Sequence, residues 1–197
     1  QLDFAKTPIG KIAAVKSEFA TRNKQQLVVL EETFLPDESD YRSFLAKAKS
    51  RSVDAVIAGL FPGVLPAFAK QARSQLSGVP LIGIESFEDE AAVKAADGAL
   101  LGQWYVNAAS GSEGYAQSYE KRFGSKPGWA SANGHDSLAL LVEAFSKHGA
   151  DSAQIANYLA TVKDFNGAMG RYSASGDHRF NLPAAVKVVT ATGFEAV

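Results

Sequence analysis

The chain has 197 residues, with 20 Lys+Arg against 21 Asp+Glu and no cysteine. This near-neutral balance gives no general electrostatic reason to bind nucleic acid, an anionic membrane or a polybasic partner. The lack of cysteine excludes a disulfide scaffold, a thiolate zinc site, an iron–sulfur centre and a cysteine nucleophile. At 46% hydrophobic and 21% charged, the composition is that of a globular chain, and no apolar run approaches the roughly 18–20 residues of a membrane span.

In chain order, Thr7-Pro8 reads as the N-cap and first position of a helix carrying Ile9, Ile12, Ala13 and Phe19. Short apolar runs bounded by turn residues then alternate with helical periods. The runs at 26–32 (QLVVLEE), 54–59 (DAVIAG), 79–84 (VPLIGI) and 99–106 (ALLGQWYV) read as strands of a buried parallel sheet. Between them, Tyr41, Phe44, Leu45 and Ala48 fall at i, i+3, i+4, i+7, as do Leu65, Phe68, Ala69 and Ala72. The order is that of a doubly wound α/β fold.

After Val106 the pattern turns helical. Tyr115, Tyr119 and Phe123 share one face; so do Leu138, Leu141, Val142 and Phe145, and so do Ile155, Leu159 and Val162. The segments FNGAMGRYSASGDHRF and AAVKVVTATGF close the chain as two strands joined through a Gly-Asp turn. Only about six residues precede the first helix, too few for a strand and its turn. Either that helix is an N-terminal addition or the chain starts within a fold; no signal peptide is visible in it.

No phosphate-cradling loop, nucleophile elbow or dinucleotide fingerprint is present, so no catalytic residue is assigned. His135, His148 and His178 have no partner at metal-ligand spacing, so no metal site and no cofactor is expected. His135 and Asp136, adjacent on a helix, are expected to point apart. Open α/β sheets bind ligands beyond the carboxyl ends of their strands. That rule selects Gly59-Leu60-Phe61-Pro62-Gly63, Glu85-Ser86-Phe87, and a loop ending in Lys6-Thr7-Pro8. Glu85 is either the partner of a ligand ammonium or a helix-start charge; Phe61 is either ligand-facing or a core ring. Glu88, Asp89 and Glu90 read as charges at the start of the next helix.

The segment order from FLPDESDYRSFLAKAKSRSVDAVIAG through KQARSQLSGVPLIGIE, then SYEKRFGSKP, GHDSLALLVEAF and FNGAMGRYSASGDHRF, resembles one family across essentially the whole chain. It is similar to the type I periplasmic binding proteins of the leucine/isoleucine/valine class, receptors of ABC importers. The resemblance implies a Rossmann/flavodoxin-like lobe with extra helices that normally pack on the other lobe. Residues 1–106 plus 166–197 would form the second lobe, lacking its first strand, and 107–165 would belong with an absent first lobe. Their apolar faces would then be exposed unless another chain or segment covered them.

By the same resemblance Glu85 matches the acidic position that meets a ligand ammonium, and Phe61, with Leu60 and Pro62 beside it, falls at a cleft aromatic. His135 stands where members often carry Tyr. Thr7 stands in place of the Tyr of a Tyr-Gly pair, with Pro8 for its glycine. The implied function is non-catalytic: extracytoplasmic capture of a small polar solute, an amino acid or related amine, and delivery to a membrane permease. A sensing domain of the same fold, or an enzyme on a flavodoxin-like scaffold, are the alternatives.

Overall fold

A computed structural model describes residues 2–109 and 111–197, with side chains from Thr7 onward. The chain divides into two units, residues 1–107 with 186–197 and residues 108–185. It passes from one to the other within strands β3 (Trp104–Ala108) and β7 (Ala184–Thr190).

The first unit is the expected α/β layer. Strands β1 (Val56–Ala58), β2 (Leu81–Gly83) and β3 pair in parallel, and β7 with β8 (Gly193–Ala196) completes the sheet in the order β1-β2-β3-β7-β8. Helices α2 (Arg42–Ser50) and α3 (Leu65–Gln75) follow the periodicity read from sequence, and α4 (Glu90–Ala95) follows the acidic run. Leu45, Leu65, Phe68, Leu100 and Tyr105 are almost wholly buried. Gln71 fastens the loop before α2, accepting from the Tyr41 backbone N–H at 2.8 Å and donating to the Ser39 carbonyl at 2.8 Å. The buried Tyr41 ring meets Phe34 and Phe68 edge-on, at 4.9 and 5.1 Å. The last residue of β2 is Gly83, where a Cβ would collide with the Phe87 ring.

Three expectations for this unit need correction. Helix α1 runs from Leu2 to Thr21 with Pro8 inside it, so Thr7 is no cap and no loop precedes Pro8. No glycine or proline stands among residues 2–7 to end the helix, which continues through Pro8 although that residue has no N–H to donate and crowds the preceding turn. The side chain of Lys6, placed in that expected loop, lies outside the described residues. The segment 26–32 is no strand: Gln25–Leu27 is a 3-10 turn, and Val28 and Val29 stay exposed. An apolar run needs a hydrogen-bonding neighbour to become a strand, and here β1 is the edge of the sheet. The acidic run also divides, since Glu85–Glu88 is a 3-10 turn and only Asp89 caps α4, accepting from the Ala92 N–H at 2.8 Å.

The second unit holds α5 (Glu113–Phe123), α6 (Ser131–His148) and α7 (Ser152–Thr161) with a three-stranded antiparallel sheet. Its strands are β4 (Phe165–Gly167), β5 (Gly170–Ser175) and β6 (Arg179–Asn181). Ser112 and Asp151 cap α5 and α7, and Gly124 ends α5 in the left-handed conformation at φ 70°. The segment FNGAMGRYSASGDHRF thus makes three strands, the Gly-Asp turn joining β5 to β6 with His178 at φ 62°. Residues 166–185, grouped by sequence with the α/β lobe, lie with the helical unit. Their core explains it: Ala168, Met169 and Tyr172 pack with Ala132, Leu140 and Val162.

Candidate functional site

At the carboxyl end of β1, Leu60 packs on the core while Phe61 and Pro62 remain half-buried. The Phe61 carbonyl accepts from the Val64 and Leu65 N–H groups at 3.2 and 3.0 Å, turning the chain into α3. At the end of β2, the neighbouring parallel strand, stands Glu85. The strand-end rule selected the two segments separately, and they leave adjacent parallel strands.

Sequence missed what faces them. Helix α1 lies against the end of β1: a Cβ on Gly59 would sit 3.3 Å from Ile12 Cγ1 and 3.5 Å from Pro8 Cβ. From the same helix Lys11 donates from Nζ to Glu85 Oε2 as an ion pair. Thr7, one residue before the buried Pro8, is exposed. Glu85 is therefore neither a bare carboxylate nor the charge that caps α4.

Glu88, read as a helix-start charge, is buried. Lys187 Nζ donates to its two oxygens at 2.9 and 3.1 Å, and Asn107 Nδ2 donates to Oε2 at 2.7 Å. Both charges are almost fully removed from water, so each depends on the other. Burial first, and the Glu88 charge second, raise the pKa of the neighbouring Tyr105 hydroxyl. The signal for Lys187 was present in sequence, since it alternates with Val189 on one strand face.

In the second unit His135 and Asp136 do not point apart. His135 Nδ1 lies 3.2 Å from Asp136 Oδ1, and its ring meets Tyr115 edge-on at 5.3 Å. The imidazole is well exposed while the carboxylate is buried. Asp136 accepts from the N–H groups of Ala168 at 2.6 Å and Met169 at 2.9 Å, and from the Tyr172 hydroxyl at 3.1 Å. Burial alone would raise its pKa, but these donors, with His135, together hold it below the ordinary aspartate value. A Cβ on Gly167 would strike this carboxylate, so the β4–β5 turn is shaped around it. Among the described residues no group of three or more His, Asp or Glu side chains could hold a metal ion. No described helix is long and apolar enough to cross a membrane.

A search of curated proteins finds no match. A family model described as "Periplasmic binding protein" matches residues 12–193. Solved structures agree in fold. A leucine binding protein from Thermotoga maritima is 18% identical with a TM-score of 0.78, the match covering 89% of this chain and 53% of that one. An R. palustris ABC-transporter solute binding protein in complex with benzoate is 22% identical with a TM-score of 0.77, covering 94% and 53%. A branched-chain amino acid transporter substrate binding protein from Streptococcus pneumoniae in complex with isoleucine is 24% identical with a TM-score of 0.68, covering 86% and 51%. The chain thus spans about half the length of these structures, and its parallel sheet has the fold of a type I periplasmic binding protein lobe. It belongs, over nearly all its residues, to the periplasmic binding protein family.

Proposed function

We propose that this chain is the ligand-reading portion of the solute receptor of an ABC importer, working outside the cytoplasm and without catalysis. Residues 1–106, with the final β7–β8 hairpin, serve as the second lobe. The helices within 107–165 belong with a first lobe, supplied by another segment or chain. Hinge closure of two lobes on a small polar solute would then present a surface to the membrane permease. The reading also fits α6, whose Leu138, Leu141, Val142 and Phe145 are 65, 49, 56 and 57% exposed along one face.

The observation that carries it is the placement of Leu60, Phe61 and Pro62 at the end of β1 and of Glu85 at the end of the adjacent parallel β2. Ligands of open α/β sheets bind there. His135 and Thr7 are further candidates for the cleft. The amino-acid or amine reading of the solute rests on Glu85 alone. Thermal melts of the intact protein against amino acids, amides and aromatic acids test the function, because a solute binding only the folded state raises the melting temperature. A rise with one chemical class supports a receptor, whereas turnover of any of them would make the protein an enzyme instead.

A further inference from the structure

We propose that the solute held at the ends of β1 and β2 is an organic acid, bound through the Lys11 ammonium, with Glu85 positioning that ammonium rather than receiving an amine. This deepens the receptor reading and rests on it. Pro8, Lys11 and Ile12 share one face of α1, at i, i+3 and i+4. The Pro8 and Ile12 contacts at Gly59 hold that face on the end of β1, and Lys11 reaches the end of β2. Within the pair the lysine side chain is 42% exposed and the glutamate 26%. An approaching solute therefore meets the cation more readily than the carboxylate.

Glu88 on the same turn is already neutralised by Lys187, and one oxygen of Asp89 accepts from the Ala92 N–H. An ammonium group arriving at Glu85 would have to displace Lys11 and lie beside its positive charge. A carboxylate would meet a Lys11 ammonium with three N–H donors, one of them given to Glu85. The half-buried Phe61 and Pro62 at the neighbouring strand end suit an apolar body on such an acid.

The test is calorimetric titration of the intact protein with matched pairs, benzoate against benzylamine and isovalerate against isopentylamine. An acid should bind about tenfold or more tightly than its amine, the scale of one hydrogen bond to a charged group. Lys11→Met should remove that preference and admit the amine, while Glu85→Gln should retain or strengthen acid binding. Both side chains are partly exposed, so both variants are expected to melt near the parent temperature. Tighter binding of the amines by the parent protein, or unchanged acid affinity in Lys11→Met, would overturn this inference and leave the receptor reading standing. Failure of all four to bind would overturn this inference, and would overturn the receptor reading too only if the amino acids and amides also left the melting temperature unchanged.

Discussion

Among the described residues each unit buries one carboxylate, and the two solve the same problem differently. In the α/β unit Glu88 is balanced by a full opposite charge on Lys187, brought from 99 residues away. In the helical unit Asp136 is balanced mainly by neutral donors, two backbone N–H groups and a tyrosine hydroxyl, with no buried cation. The difference teaches what each bond ties together. The ion pair fastens the 3-10 turn after β2 to strand β7, with Asn107 of β3 joined to it. The aspartate instead shapes one turn, β4 to β5, and fixes it on α6.

The largest expected effect tests the charged solution. Lys187→Met leaves Glu88 buried without its partner and should destabilise the fold by about 3–5 kcal/mol, read as a lowered urea midpoint. Adding Glu88→Gln should recover most of the loss, since removing both charges avoids a stranded ion. A single-variant cost of a few tenths of a kcal/mol would mean that Glu88 reaches water after all.

Asp136→Asn tests the neutral solution and should cost on the order of 2 kcal/mol, because charge-assisted bonds become neutral and an amide must face backbone donors. Its pH dependence has a definite sign. The folded pKa lies below the unfolded one, so the stabilisation is fully present above the unfolded value of about 3.9. It is lost as pH falls through the lower folded value. The parent should therefore lose stability at the acid end more steeply than the asparagine variant. Equal acid slopes would remove Asp136 from that role.

The smallest effect concerns the surface of α6. In the 197 residues tested by themselves, Phe145→Ser, at a side chain 57% exposed, should change stability by less than about 0.5 kcal/mol, measured by chemical unfolding. A cost of several kcal/mol there would show the face covered by a second copy. The comparison with the almost fully buried Phe68 would then lose its contrast.

Much of the first unit was legible in sequence because its signals are local. Short apolar runs and helical spacing mark β1, β2, α2 and α3 without reference to anything distant. The rule that ligands meet strand ends brought out Leu60, Phe61, Pro62 and Glu85. The segment 26–32 carried an equally good strand pattern and is no strand, since β structure depends on a partner that the pattern does not contain. The turn in FNGAMGRYSASGDHRF was visible, but its three strands were not. Gly167 and Gly170 bracket a second reversal whose cause, the Asp136 carboxylate, lies on α6 more than thirty residues earlier.

The sequence by itself determined the α/β class of the first unit and the helices of the second, because each follows from neighbours a few residues apart. Only the tertiary structure decided the state of the charges. Lys11 and Glu85 are 74 residues apart, and Glu88 and Lys187 are 99 apart. Whether a carboxylate is bare, paired or capped depends on which distant group the fold carries to it. For Glu85 that distant group is Lys11, whose ammonium donates to it.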